Sequence, residues 1–185
     1  MLALNRTAWI LVAMIATSGC VQTFNPVYQA DDLVYDASLV GSWRQAKSMD
    51  VWELKPGVGK SYSVTFREAK GHSSEFVAHA AKVNDVTLLD LFPTTNAADA
   101  SFAREFHQVP IHSIYLVKAT SPNIVLAAID HSWLEAQLNS GNSGLEFVTI
   151  KGRKIITSPT EKLQKFFSAN SDRFTNELTL ERTSD

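Results

Sequence analysis

The chain has 185 residues, of which 17 are basic and 19 acidic, and its formal net charge at pH 7 is −2. This balance excludes the strongly basic surface of a nucleic-acid-binding domain, so no nucleic-acid partner is expected. The apolar fraction of 45% and the length suit a globular domain with a substantial core.

The first predicted element is an N-terminal leader. Arg6 precedes an apolar run over residues 8–16 (AWILVAMIA), and small residues follow the run. Nine apolar residues are too few for a transmembrane helix, which needs roughly 20. The order of positive charge, short apolar run and small residues is typical of a secretory signal peptide. A buried core helix or a membrane anchor is the alternative interpretation.

The only cysteine of the chain, Cys20, follows the leader. It cannot form an intramolecular disulfide, and a free thiol is reactive in an oxidising compartment. Ser18-Gly19-Cys20 resembles the lipobox of bacterial lipoproteins, although Thr17 stands where that family usually has an aliphatic residue, which leaves ordinary signal-peptide cleavage open. The resemblance implies a signal peptide over 1–19 and diacylglyceryl and acyl (palmitate) groups on the cysteine. Because Val21 rather than aspartate follows, it also implies an outer-membrane anchor facing the periplasm.

The next segment, residues 21–36 (VQTFNPVYQADDLVYD), lacks a clear period and is predicted to be a tether with a lead-in segment. The expected organisation is therefore a signal peptide, a lipidated N-terminus with its tether over 20–36, and a single β-rich domain over 37–185.

Short strands separated by turn residues dominate this domain. Residues 61–68 (SYSVTFRE) alternate cleanly between apolar and polar side chains. Turn signals separate the strands of four predicted hairpins: Pro56–Gly59, Asn84-Asp85, Ser121–Asn123 and Lys151–Arg153. A last short strand is predicted over 174–182. The fold class is thus mainly β (α+β): an antiparallel meander of about eight strands that forms a barrel or a strongly curved sheet.

Two helices interrupt the strands. Asp130 is the predicted N-cap of a helix over 131–139, which ends at Gly141. Ser158-Pro159-Thr160-Glu161 has the pattern of a capping box and predicts a helix over 159–170.

Near the start of the first strand of the domain stands Gly41-Ser42-Trp43. This triplet resembles the Gly-x-Trp signature of the lipocalin and wider calycin group, which includes bacterial outer-membrane lipoproteins. The resemblance implies that Trp43 closes the floor of a barrel and that a basic residue near the last strand packs on it. Arg173 and Arg182 are the two candidates. The other interpretation of Trp43, a core tryptophan, holds in either case.

No catalytic or metal-binding pattern is evident. The chain lacks the nucleophile elbow of hydrolases and a phosphate-binding glycine loop. The five histidines have no metal-ligand spacing, so we expect hydrogen-bonded structural roles for His112 and His131. Asp90 and Asp130 each end an apolar strand, and capping is the simpler role for Asp130. No cofactor is expected, and an enzymatic activity is not predicted.

Two functions remain open. In the first, the barrel holds a lipid-like or other apolar small molecule, with Trp43, Trp52, Tyr62 and Tyr115 as candidate ligand-binding residues; this requires a cavity of at least a few hundred Å³. In the second, the protein is a non-enzymatic accessory or scaffold subunit of a cell-envelope assembly. It then has a filled core and an exposed apolar patch, which we expect within residues 92–111, in a predicted loop with a short helix over 98–106.

Overall fold

Apolar and polar side chains alternate over much of the sequence, which favours β-strands. The structure is a computed structural model that describes residues 21–94 and 110–183. It is built mainly from β-strands. Within these residues there are 12 strands and two α-helices. The strands are β1 (Val21–Thr23), β2 (Leu33–Val34), β3 (Gly41–Gln45), β4 (Val51–Pro56), β5 (Ser61–Arg67), β6 (Ser73–Val83), β7 (Val86–Pro93), β8 (His112–Ala119), β9 (Ile124–Ile129), β10 (Phe147–Ile150), β11 (Arg153–Ile156) and β12 (Phe174–Arg182). The helices are α1 (His131–Ser140) and α2 (Thr160–Ala169).

Eight of these strands close into an antiparallel barrel, in the order β3, β4, β5, β6, β7, β8, β9 and β12. The last strand makes the closure. β12 pairs with β9 along most of its length, and with β3 through Leu180 opposite Gln45 and Arg182 opposite Trp43. The predicted fold class is therefore confirmed. Of the two predicted alternatives, a closed barrel and a strongly curved sheet, the structure has the barrel. Closure leaves these eight strands without the free edges that invite aggregation.

The barrel wall separates two apolar cores, because successive residues of a strand point to opposite faces. On β7, Leu89 and Leu91 point into the barrel, whereas Leu88 points outward, to the core that the two helices cover. The inner core includes Trp43, which is 1% exposed, and the outer core includes Phe167 of α2.

The barrel has two ends, which we call the rim and the base. The rim carries loop 46–50, between β3 and β4, and loop 68–72, between β5 and β6. The base is the opposite end, at which β3 begins. A short 3-10 helix, Ala37–Leu39, precedes β3 there, and its Leu39 is buried in the inner core. The base is thus closed by the chain that leads into the barrel.

Four strands lie outside the barrel: β2 pairs with β6, and three others extend the sheet beyond the barrel wall. β1 pairs antiparallel with the first residues of β8 and parallel with β11, and β11 pairs with β10. This differs from the tether predicted over 20–36, since Val21, Thr23 and Val27 are buried and the segment contains β1 and β2. The valines cover the outer core beside residues of α2, a contact between segments far apart in sequence that no local period reveals.

Both helices form where they are predicted, but only one has the predicted cap. In α1, Asp130 Oδ1 accepts a hydrogen bond from the backbone N–H of Trp133 (3.0 Å), and Gly141 ends the helix with φ of +73°. The capping box predicted for α2 is wrong. The hydroxyl of Ser158 instead accepts a hydrogen bond from the backbone N–H of Glu146 (2.7 Å), which ties the start of α2 to the segment before β10.

Three predictions concern residues outside the described ranges: the leader over 1–19 with Cys20, the short helix over 98–106, and the exposed apolar patch within 92–111, of which residues 95–109 are not described. Among the described helices, none is long and apolar enough to cross a membrane.

Candidate functional site

The inside of the barrel is the site that the sequence predicts for a ligand. It holds a void of about 20 Å³, which is close to the space of one water molecule. The lining consists of apolar and aromatic side chains: Leu39, Trp52, Leu54, Val64, Ala78, Leu89, Leu91, Tyr115, Ile124, Leu126, Leu178 and Leu180. Large branched residues from both halves of the barrel therefore fill its interior.

Two of the four predicted ligand residues, Trp52 and Tyr115, line this void. Both side chains are half-buried. Trp52 lies in the rim half of β4, and its ring contacts that of Phe66, with 4.5 Å between the centroids. Trp52 is therefore close to the rim, whereas the turn that follows β4 at Pro56–Gly59 lies at the base, because β4 crosses the barrel between the two.

The other two predicted ligand residues, Trp43 and Tyr62, do not line the void and belong to the closed base. Trp43 Nε1 donates a hydrogen bond to the carbonyl of Leu39 (2.9 Å). The Tyr62 hydroxyl accepts from the backbone N–H of Asp36 (2.7 Å) and donates to the carbonyl of the same residue (3.1 Å). Burial raises the pKa of Tyr62. These aromatics fasten the segment before β3 across the end of the barrel.

Of the two arginines considered for Trp43, Arg182 is the one that packs on it. Its guanidinium lies 4.3 Å from the centre of the indole ring and donates to the carbonyls of Val40 and Ser38, at 3.3 Å each. Arg173 instead lies 5.5 Å from the ring centre of Trp133. The base is therefore sealed by a cation–π pair whose donors also satisfy backbone carbonyls.

Gly41 makes the seal of the base possible. Its φ is +145°, and a Cβ at this position would collide with the guanidinium of Arg182. A residue with a side chain would have to displace the arginine from the indole ring.

A second cluster, which the sequence alone does not predict, lies on the outer face of the barrel wall. His112 Nδ1 and Asp90 Oδ1 are 2.6 Å apart, and Asp90 Oδ2 accepts a hydrogen bond from the buried backbone N–H of Val27 (2.9 Å). His79 lies opposite Asp90 on β6, and its ring contacts that of Tyr28 with 4.4 Å between the centroids. We call these four side chains, Tyr28, His79, Asp90 and His112, the wall cluster.

Two effects shift the pKa values in the wall cluster: burial of the side chains and the charge of Asp90. Burial lowers the pKa of His79, and the Asp90 charge opposes that shift. Burial raises the pKa of Tyr28, and Asp90 adds to that shift. The signal in the sequence is the period-2 alternation, which puts His79, Asp90 and His112 on the outward face of three strands. Their register, which brings them together, is set by pairing and is not readable locally.

The wall cluster has the parts of a catalytic dyad but the surroundings of a structural lock. An aspartate bonded to Nδ1 orients a histidine as in a hydrolase triad. Here Phe92 covers the imidazole, with 4.5 Å between the ring centroids, and the second carboxylate oxygen is used by Val27. In the described ranges, no buried side-chain polar atom lacks a hydrogen-bond partner and no three residues form a metal-binding group. The hydrogen bonds of Asp90 fasten the N-terminal segment to the wall.

Cys20, the predicted lipidation site, lies outside the described residues, whose first member is Val21, the start of β1. No family model matches the chain, and neither curated proteins nor solved structures include a match to it.

Proposed function

We propose that this protein is a lipoprotein of the bacterial cell envelope, held by acyl chains on Cys20 at the periplasmic face of the outer membrane, and that its barrel is a non-catalytic accessory or scaffold subunit of an envelope assembly. The leader and the lipobox-like Ser18-Gly19-Cys20 support the anchor.

The observation that carries the scaffold role is the filled interior. Sites for drug-sized ligands have volumes of about 300 to 1,000 Å³, whereas the void inside the barrel is about 20 Å³. A lipid chain does not fit into such a space without displacing several of the leucines that line it. The sealed base adds to this argument, because Trp43 and Arg182 stiffen the end of the barrel rather than leaving an entrance.

A second candidate function, transport or storage of an apolar molecule, has one observation in its favour. The void lies inside the barrel, its lining is wholly apolar, and Trp52 and Tyr115 both reach it. A Gly-x-Trp barrel that carries an apolar ligand is what the lipocalin resemblance implies. The two functions differ in whether the native protein binds such a ligand.

A pair of leucines on one strand gives a matched test of the interior. Leu89→Ala enlarges the inner void, and Leu88→Ala removes the same atoms from the outer core. We expect benzene or indole to raise the melting temperature of Leu89→Ala more than that of Leu88→Ala, because only the cavity left by Leu89 joins the existing void. The native protein should show no saturable stabilisation by palmitate or by an apolar dye. Saturable one-to-one binding to the native barrel would overturn the scaffold role and favour the carrier.

The anchor is tested by mass spectrometry of the protein extracted from membranes in mild detergent. The expected chain begins at Cys20 and carries a diacylglyceryl group and a further acyl chain. A chain that begins at Gly19 with a free thiol would show that the lipoprotein assignment is wrong.

A further inference from the structure

The start of β1 and the turn of the β10–β11 hairpin lie at the same end of the sheet extension. β1 and β11 are parallel, with Thr23 opposite Ile156, and the backbone N–H of Phe24 donates to the carbonyl of Ile156 (2.9 Å). Neighbouring strands are about 4.8 Å apart, and each residue advances about 3.3 Å along a strand. Two residues before this pair, Val21 on β1 lies at the level of Lys154 on β11. The hairpin turn follows directly beyond Lys154 at the same end.

This position matters because Val21 is bonded directly to the residue that carries the proposed anchor. Consecutive Cα atoms are about 3.8 Å apart, so acyl chains on Cys20 hold the start of β1 at the membrane surface. The 2% exposure of Val21 shows that no free linker separates this point from the domain. The hairpin turn beside it is then held close to the lipid headgroups.

The hairpin has the chemistry of a membrane-contact surface. Val148 and Ile150 on β10 are 41% and 45% exposed, although they are large aliphatic side chains. Lys151 lies in the turn and Arg153 is the first residue of β11; both are exposed, and neither makes an ion pair with any other described residue. Lys154, one residue further along, is paired with Glu135 (3.2 Å). We call Val148, Ile150, Lys151 and Arg153 the tip surface.

We propose that the tip surface binds anionic lipid headgroups beside the anchor and so fixes the orientation of the barrel on the membrane. The proposal rests on the lipid anchor of the proposed function. Aliphatic side chains with adjacent cations match the boundary between acyl chains and anionic headgroups. The tip surface lies at the end opposite to the rim with its loops 46–50 and 68–72. This follows because β1 and β11 both run toward the rim, so their first residues lie far from it. The rim therefore faces away from the bilayer.

The experiment measures the depth of a fluorescent label on the lipidated full chain in vesicles. Acylated Cys20 cannot react with a thiol label, so an introduced cysteine is the single reactive thiol. The label is placed at Thr149→Cys, beside the tip surface, or at Met49→Cys, an exposed position in loop 46–50 at the rim. The vesicles contain phosphatidylethanolamine with phosphatidylglycerol, or phosphatidylcholine alone, and a lipid-linked quencher reports contact.

Two charge-matched variants identify the cations responsible. Lys151→Glu with Arg153→Glu reverses both cations of the tip surface, and Lys47→Glu with Lys70→Glu reverses two exposed cations of the rim loops. Each cation near an anionic surface changes the contact equilibrium about fivefold. We therefore expect Lys151→Glu with Arg153→Glu to lower the equilibrium constant for membrane contact, measured by quenching of the label at position 149, at least tenfold. Lys47→Glu with Lys70→Glu should leave this constant unchanged.

The proposal is supported if the label at 149 is quenched in anionic vesicles, if the label at 49 is not, and if salt weakens the effect. Equal quenching in anionic and phosphatidylcholine vesicles overturns headgroup binding, and so does the absence of quenching in both. If mass spectrometry then still shows an acylated chain, the lipid anchor is supported without the tip surface. Protection of position 149 by a second protein in lipid-free detergent overturns it too, because β10 then pairs with a foreign strand. A chain without acyl groups overturns the anchor and this proposal together.

Discussion

Replacing Asp90 tests whether the wall cluster is a structural lock. Asp90→Ala removes the partner of His112 Nδ1 at 2.6 Å and of the Val27 N–H at 2.9 Å, and leaves both groups in a buried environment. Each buried polar group without a partner costs about 1–3 kcal/mol. The two losses together come to about 2–6 kcal/mol. We expect the free energy of unfolding to fall by about that amount, which is a large share of the typical value of about 5–15 kcal/mol.

The assay for Asp90→Ala is urea unfolding followed by tryptophan fluorescence, with the slope checked so that the change in midpoint reports stability. Asp90→Asn keeps one acceptor for either partner, so its loss should be about half as large. Asp85→Ala, in the exposed turn between β6 and β7, is the control and should lie within about 0.5 kcal/mol of the native protein. Hydrogen exchange at Val27 should rise in Asp90→Ala before the barrel opens. A loss below about 1 kcal/mol with unchanged exchange at Val27 would refute the lock.

Three further predictions concern the base and the wall cluster. Gly41→Ala should cost about 1–3 kcal/mol in urea unfolding, because it strains a positive φ and displaces Arg182, whereas Gly59→Ala, at φ of +64° in open space, should cost less; equal losses would contradict the seal. Arg182→Ala should expose the Trp43 ring and shift its emission to longer wavelength, and an unchanged spectrum would show that the guanidinium does not cover it. The pKa of His79 is lowered in the folded state, so the unfolded chain binds more protons than the folded chain as the pH falls through about 6.5. The free energy of unfolding therefore falls as the pH falls. His79→Gln should flatten this part of the stability–pH curve, and an unchanged slope there would exclude His79 as the cause.

The parts of the fold that depend on neighbouring residues could be predicted from the sequence. The alternation over residues 61–68 places β5, and Asn84 takes the positive φ of +54° that the turn between β6 and β7 needs. Asp130 and Gly141 mark the ends of α1 because a cap and a left-handed residue act within one turn of the helix. In each of these cases the side chain and the backbone groups it affects are only a few residues apart.

Contacts across the barrel could not be predicted in the same way. The choice between Arg182 and Arg173 depends on the pairing of β12 with β3, whose residues are far apart in the chain. The wall cluster depends on the register of β6, β7 and β8. Ser158 shows the same limit, because the sequence offers its hydroxyl a local helix end, whereas the fold brings it the backbone N–H of Glu146, which donates to it. Ser158 is fully buried, so its hydroxyl oxygen needs a partner within the fold.

The filled interior and the proposed orientation, which itself rests on the proposed anchor, are consistent with the same function. A carrier that exchanges lipid with its own membrane needs an entrance that faces the bilayer and a cavity behind it. In the proposed orientation the rim points into the periplasm, and the end toward the bilayer is sealed by Trp43, Arg182 and the 3-10 helix at Ala37–Leu39. The lipid would therefore meet a closed base and a void of about 20 Å³. A scaffold has the opposite needs, a rigid body and a fixed presentation of the rim to a periplasmic partner. If the tip surface is disabled by charge reversal, a carrier should keep its ligand, whereas a scaffold should lose the fixed orientation on which its contact with the partner depends.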